Sequence, residues 1–237
     1  TTPSTESAIE FNNMTAHLKE KLIMQKFVSD STISMIKEKS KTRKKDELDL
    51  GGTRQNLVFL FSDVRGFTAM SEKMEPEEVV AILNEYLDLQ AQIIRKHAGD
   101  IDKFVGDEIM AVFSGDDRAD RALRASLEII RAIKLLNDER SDRGEVTVDV
   151  GIGLNIGDVV HGRMGSRDRM DHTSIGDAVN LAARLCSNAD RGEILASAEL
   201  MAQAEKTRYR VKKLDPISVK GKEKPVAIYS VKGIKAG

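Results

Sequence analysis

The sequence predicts an α+β domain built as a split βαβ sandwich, with a helical segment in front of it, and three observations carry that prediction. Apolar residues alternate between strand-like runs and helical spacing in the order strand, helix, strand, strand, helix, strand. Pro, Gly and Asp stand at the joints of that order. The composition is that of globular material: 237 residues are 41% hydrophobic, with 37 Lys and Arg against 38 Asp and Glu. This balance excludes a protein built to coat nucleic acid, which carries a basic excess that releases counterions from phosphates. A single cysteine, Cys186, excludes an internal disulfide and a cysteine zinc site, and fits a reducing compartment. No apolar run approaches the roughly 20 residues that cross a bilayer, and the amino end has no signal-peptide pattern. The sequence therefore reads as a soluble intracellular fragment.

Residues 1–50 read apart from residues 51–237. Phe11, Met14, Leu18 and Leu22 recur at three- and four-residue steps and lay one apolar face on a helix. Such a helix has no core of its own, so the face needs a copy of itself or the following domain. A second periodic stretch runs from Ser29 to Ile36, with Ser29 or Asp30 as its cap. The basic run from Lys37 to Lys45 reads as a solvated linker.

In the second part, residues 57–62 (LVFLFS) form a buried strand bounded by Gly51-Gly52 and by Asp63. Glu75-Pro76-Glu77-Glu78 opens a long helix through His97, since Pro suits the first turn and the acids face the positive end of the dipole. Gly99-Asp100 breaks it. Residues 103–113 (KFVGDEIMAVF) form a hairpin around Val105-Gly106-Asp107-Glu108, with Gly106 supplying the turn. A second helix runs from about Arg118 to Asn137, with Leu123, Leu127, Ile130 and Ile133 on one face. Alternation over residues 146–160 gives a long strand, residues 162–171 a turn, and residues 171–176 (DHTSIG) a further strand. A short helix covers Asp177 to Cys186, and EILAS, RYRVKKL and AIYSVKG complete a mixed sheet. This order is that of ferredoxin-like folds, with additions at the carboxyl end.

Two acids stand where a strand meets a turn. Asp63 closes the first strand and Asp107 lies in the hairpin turn. In a split βαβ topology these elements are neighbours, so both carboxylates can reach one point at the sheet end. Paired carboxylates bind hard divalent ions, and with phosphate oxygens completing an octahedron the preferred ion is Mg²⁺ or Mn²⁺. Gly66 lets the chain turn tightly into a helix whose free amides suit a phosphate. Either acid alone reads equally well as a turn cap.

FSDVRGFT at 61–68, KFVGDEIMAVF at 103–113 and TSIGDAVNLAARL at 173–185 closely resemble the catalytic motifs of class III nucleotide cyclases, over roughly Asn56 to Val231. The resemblance implies an adenylate cyclase that converts ATP to 3′,5′-cyclic AMP and pyrophosphate in signal transduction. It implies that Asp63, Asp107 and the carbonyl of Val64 hold two Mg²⁺ or Mn²⁺ ions per site. One would lower the pKa of the ATP 3′-hydroxyl and the other would hold the triphosphate. Gly66, Phe67 and Thr68 become substrate-binding positions. Lys103 matches the purine-selecting lysine of the adenylyl branch; its ammonium only donates, which suits N1 of adenine, whereas the guanylyl branch usually has Glu there. Thr173 is the second purine position, where many members have Asp, and it resembles a Thr-bearing subgroup that includes bicarbonate-responsive cyclases. Asn180 and Arg184, four apart on one helix face, match the residues that orient the ribose and stabilise charge on the α-phosphate. Lys220 matches the lysine that grips the terminal phosphates, with Lys222 as a substitute.

In that family the metal acids of one subunit meet the purine and transition-state residues of the other. A chain carrying both sets is expected to be a homodimer with two equivalent sites. Residues 7–22 resemble the last helix of a HAMP relay, and residues 26–39 the transducing helix before many bacterial cyclase domains. This implies a cytoplasmic piece of a membrane-anchored receptor, touching the membrane only through upstream segments and binding no nucleic acid. The other readings are a guanylate cyclase, a diguanylate cyclase, a catalytically silent dimeric sensory module and, for the amino segment, an ordinary dimerising coiled coil. The diguanylate enzymes usually have a Gly-Gly-acid-acid-Phe turn where this chain has Val-Gly-Asp-Glu-Ile. The retained Asp63, Asp107, Asn180 and Arg184 speak against a silent module.

Overall fold

A computed structural model of the chain describes residues 51–165, 170–218 and 225–235, together with residues 14, 15, 18, 19 and 33. The chain divides into two compact units, Thr1–Leu48 and Asp49–Gly237. In the first, Met14, Thr15, Leu18, Lys19 and Ile33 are helical, and Met14 and Leu18 of the apolar stripe are exposed. Phe11, Leu22, the HAMP-like and transducing segments apart from those few positions, and the basic run from Lys37 to Lys45 lie outside the described residues. Among the described residues no helix is long and apolar enough to cross a membrane.

The second unit begins with β1 (Gly51–Val64), followed by α1 (Phe67–Ser71) and α2 (Pro76–Lys96). The hairpin β2 (Asp100–Val105) and β3 (Glu108–Phe113) leads to α3 (Arg118–Asp142) and β4 (Val150–Gly165). Then come β5 (Met170–Ile175), α4 (Asp177–Asn188), β6 (Ile194–Ser197), α5 (Ala198–Gln203), β7 (Tyr209–Lys213) and β8 (Ile228–Ile234). The sheet order is β2-β3-β1-β4-β6-β8-β7, with β5 paired to β4. Strands β2-β3-β1-β4 are antiparallel and form the expected split βαβ arrangement, while β6 joins β4 in parallel and makes the sheet mixed.

From Leu57 onward β1 is buried on both faces, and its period-two alternation sorts its side chains. Val58, Leu60 and Val64 join Ile109, Ala111 and Phe113 of β3, Ile152 and Leu154 of β4, and Tyr86 and Leu123 of the α2 and α3 layer. Leu57, Phe59 and Phe61 point the other way with Met110 and Val112, and are covered by Ala178, Ala182 and Cys186 of α4. The α4 side of β4 is nearly bare. A β-carbon at Gly153 would overlap the main chain of Cys186 and Ala182, and one at Gly157 would stand 2.8 Å from the Ala178 β-carbon. Between them, Asn155 Nδ2 donates to the Ala178 carbonyl at 2.9 Å. The helix therefore sits directly on the strand backbone, its position set by the missing side chains beneath it.

Several boundaries differ from the sequence expectation for physical reasons. β1 starts at Gly51, so Gly51-Gly52 lie within the strand, paired with Arg163 and Gly162 of a β4 that runs on to Gly165 through the stretch expected to turn. β4 starts only at Val150, because the Val148 amide is taken by the Tyr86 hydroxyl at 3.2 Å and the Val146 carbonyl by Arg140 Nε at 2.7 Å. The same Arg140 is 8% exposed, which explains why α3 continues past Asn137 to Asp142. α5 is too short for periodicity to reveal; Ser197 caps it by accepting the Leu200 amide at 3.2 Å.

Gly153→Ala is expected to destabilise the domain by about 1–3 kcal/mol, the usual range for overpacking a core, as read by urea denaturation. An unchanged midpoint would mean that α4 can lift off β4 without loss.

Candidate active site

Three carboxylates converge where β1 closes and the β2–β3 hairpin turns. Asp63 stands opposite Glu108 of β3 on one side and Gly151 of β4 on the other. Alternation puts Asp63 and Glu108 on the α4 face of the sheet, in line with Phe61 and Met110. Asp107 occupies the two-residue turn made possible by Gly106, whose φ of 63° is left-handed. Burial first, and then the charge of Asp63 and a hydrogen bond with it, hold the Asp107 carboxyl above the usual carboxylate range. Glu108 is raised as well, by burial and then by the charges of Asp63 and Asp107. The sequence motifs single out Asp63 and Asp107 but pass over Glu108, whose only signal is the hairpin register that sets it across from Asp63.

Arg65 is a second residue the motifs pass over. Its Nη1 donates to Asp63 Oδ2 at 2.8 Å, and the guanidinium lies across Gly151 toward α4. The next residue, Gly66, has a φ of 79° and starts α1, which has no side-chain cap. A β-carbon there would also stand 2.9 Å from Nη2 of the exposed Arg191, a side chain free to move aside, so it is the left-handed turn that favours glycine. Phe67 packs against the core, and Thr68 is exposed. Val64, whose carbonyl is the expected third metal ligand, ends β1 beside Asp63 with its side chain buried.

The two expected purine positions meet within one chain. Lys103 lies on β2 opposite Met110, and Thr173 on β5 opposite Gly162. Lys103 Nζ donates to Thr173 Oγ1 at 3.1 Å, and an Asp102 carboxylate oxygen is 3.3 Å from the same ammonium. Asn180 and Arg184 lie on α4 away from its buried face of Ala178, Leu181, Ala182 and Leu185; Asn180 is exposed and Arg184 half-buried. Among the described residues, neither is hydrogen-bonded or ion-paired to Asp63, Asp107, Lys103 or Thr173. Lys220 and Lys222 lie outside the described residues. Cys186 is buried, its thiol pushed up to about 12 by burial, so it acts as a small apolar residue.

Among the described residues no group of three or more His, Cys, Asp or Glu side chains has the geometry to hold a metal ion. The expected donor set, the carboxylates of Asp63 and Asp107 with the Val64 carbonyl, would consist of hard oxygens alone. That suits an ion such as Mg²⁺, which takes one or two carboxylates from protein and completes its octahedron with water and substrate phosphates. The carboxyls of Asp107 and Glu108, raised first by burial and then by neighbouring acids, fit the same conclusion, since a nearby cation would favour their charged forms.

A split βαβ sheet that ends in an acid pair, with Lys103 and Thr173 hydrogen-bonded on the strands beside it, has the layout of a nucleotide cyclase catalytic domain. The chain belongs to the adenylate and guanylate cyclase catalytic domain family, whose model matches residues 50–233. It is 35% identical over 232 residues to an adenylate cyclase of Anabaena cylindrica, a match that covers 94% of this chain and 45% of the relative. The chain thus spans less than half the length of that relative. Among solved structures, the adenylyl cyclase CyaB from P. aeruginosa is similar with a TM-score of 0.72 and 37% identity, covering 77% of this chain and 96% of that one. The guanylyl cyclase Cya2 is similar with a TM-score of 0.71 and 36% identity, covering 78% and 96%.

A carboxyl raised in the folded state adds stability below its unfolded pKa and loses it as pH rises through the folded value. Asp107→Asn is therefore expected to raise the thermal midpoint of the metal-free protein at pH 8, with the gap closing as pH falls through the raised value toward the ordinary carboxylate value of 3.8. Mn²⁺ is expected to raise the wild-type midpoint at pH 8 and to leave that of Asp107→Asn nearly unmoved. Equal Mn²⁺ shifts in both proteins would place the ion elsewhere.

Proposed function

We propose that the chain is an adenylate cyclase catalytic domain that converts ATP to cyclic AMP and pyrophosphate at two sites shared across a homodimer. The observation that carries the choice of ATP is the hydrogen bond from Lys103 to Thr173 at 3.1 Å. An ammonium has three donors, so with one on Thr173 it keeps others for the acceptor N1 of adenine. The Thr173 hydroxyl oxygen keeps a lone pair for the adenine amino group. Guanine presents an N1–H and an amino group instead, and a lysine has nothing to accept them.

In this reading Asp63, Asp107 and the Val64 carbonyl hold two divalent ions. Bound there, the ions supply Lewis acidity toward the 3′-hydroxyl and charge neutralisation for the triphosphate. Gly66, Phe67 and Thr68 place the free amides of α1 beside the phosphates. Asn180 orients the ribose so that its 3′-oxygen lies in line with the α-phosphorus and the pyrophosphate leaving group. Arg184 stabilises the charge that grows on the α-phosphate, and Lys220 grips the terminal phosphates. The outward face of α4 supports a site completed by a second copy, because among the described residues the Asn180 and Arg184 side chains make no hydrogen bond or ion pair to the acids of the same chain. Phe104, Val105, Val160 and Ile175, exposed apolar residues on β2, β4 and β5, supply surface for such a contact. In this reading the amino-terminal segment is the input end of a longer, membrane-anchored receptor, and Thr173 at the second purine position supports assignment to the Thr-bearing subgroup.

A second reading, a guanylate cyclase, is favoured by the similarity to Cya2, which nearly equals that to CyaB. Incubation with ATP or GTP and Mn²⁺ or Mg²⁺, followed by chromatography of products, separates the two. Cyclic AMP with pyrophosphate is expected, and Lys103→Glu should lower kcat/KM for ATP by about a hundredfold while raising that for GTP. Cyclic GMP as the main wild-type product would overturn the role of Lys103.

Asp63→Ala and Asn180→Ala should each be inactive alone, and the mixed dimer should regain one intact site. No recovery would mean that each site is complete within one chain. The same assay on residues 49–237 tests the input role of the amino segment, which fails if neither rate nor dimer constant changes.

A further inference from the structure

The Arg65 side chain is 17% exposed, and its guanidinium fork reaches two separate elements. Nη1 donates to Asp63 Oδ2 at 2.8 Å. Nη2 donates to the main-chain carbonyl of Cys186, near the carboxyl end of α4, and lies 3.9 Å from the Cys186 sulfur. The space is built for this side chain, because a β-carbon at Gly151 would overlap the guanidinium. The main chain that launches it is also fixed, since the Arg65 amide donates to the Asp149 carbonyl at 2.8 Å. Both ends of the bridge are favourable partners for a cation: one is a carboxylate, the other a carbonyl at the negative end of a helix. Only a planar fork can serve both at once; a lysine is a point charge on a single stem.

We propose that Arg65 is a positioning residue that ties the Asp63 carboxylate to helix α4, so that cation binding at Asp63 is transmitted to Asn180 and Arg184. A cation that draws on Asp63 weakens its hold on Nη1, and the arginine's remaining hydrogen bond is to α4. The consequence for regulation rests on the shared-site dimer proposed above. There, Asp63 serves one site while Asn180 and Arg184 of the same chain serve the other, so Arg65 links the metal side of one site to the transition-state side of its twin. Linkage makes the coupling reciprocal.

The test uses the full chain without nucleotide and Mn²⁺ as the probe. Free Mn²⁺ is measured by electron paramagnetic resonance, and hydrogen exchange is followed at the amides of residues 177–188. In the wild type, Mn²⁺ is expected to change exchange near the carboxyl end of α4 by about threefold or more, within the usual range of coupling between sites. Arg65→Lys keeps the charge and loses the fork. It is expected to bind Mn²⁺ within about threefold of wild type while the α4 response disappears. Gly151→Ala displaces the guanidinium without altering any charge and should behave the same way. In turnover, Arg65→Lys should lower kcat by about tenfold with KM for ATP nearly unchanged. An α4 response in Arg65→Lys equal to that of wild type would overturn the proposal. So would Mn²⁺ binding by the wild type with no response in α4. Failure of the wild type to bind Mn²⁺ at all would remove the metal site itself, and the coupling with it.

Discussion

The double pairing of β1, antiparallel to β3 on one edge and to β4 on the other, is the constraint on which the rest of the domain depends. A strand buried on both faces cannot slip by one residue without exchanging its two apolar sets, and both sets here meet packed helices. The register is thereby fixed at both edges. Asp63 is fixed with it, opposite Glu108 on one side and Gly151 on the other. Asp63 takes its place along the chain from the hydrophobic core, and the hydrogen bond from Arg65 then holds its carboxylate.

Burying acids side by side has a cost, visible in the raised carboxyls of Asp107 and Glu108, which burial raises first and the neighbouring acids second. Arg65 offsets part of it, and its charge lowers both of those carboxyls against the larger effect of burial. The domain thus holds a site strained toward accepting positive charge, supported by a fixed positive group beside it. The near-neutral total charge conceals this division: negative side chains gather at the sheet end, while Lys103 and Arg184 stand elsewhere on the same chain.

The glycines of β4 explain how α4 can be part of the site. With Gly151, Gly153 and Gly157 beneath it, the helix rests on the strand backbone and on Arg65. Its outward face is left to Asn180 and Arg184, whose positions relative to the sheet follow from that close seat. Helix, strand and arginine form one packed unit, which is why a change at Asp63 has a physical route to α4.

The sequence by itself determined the order of the main strands and helices, though not the short α5, together with the burial of β1 from Leu57, the hairpin around Gly106 and Asp107, and the helix faces, because each depends on short-range periodicity and turn chemistry. It also determined the identities of Asp63, Asp107, Lys103, Thr173, Asn180 and Arg184 as candidates, because ordered motifs carry them. Tertiary structure alone decided what depends on register and on long-range packing. The contact of Lys103 with Thr173, 70 residues apart, is of this kind. So are the place of Glu108 opposite Asp63 and the reach of Arg65 to Cys186, 121 residues away. The extension of β4 to Gly165 belongs here too, since its pairing with Gly51 and Gly52 of β1, distant in the chain, supplies the hydrogen bonds that carry it on. Residue spacing within one strand or helix can be read from the chain, but the neighbour across a sheet is set only when the core closes.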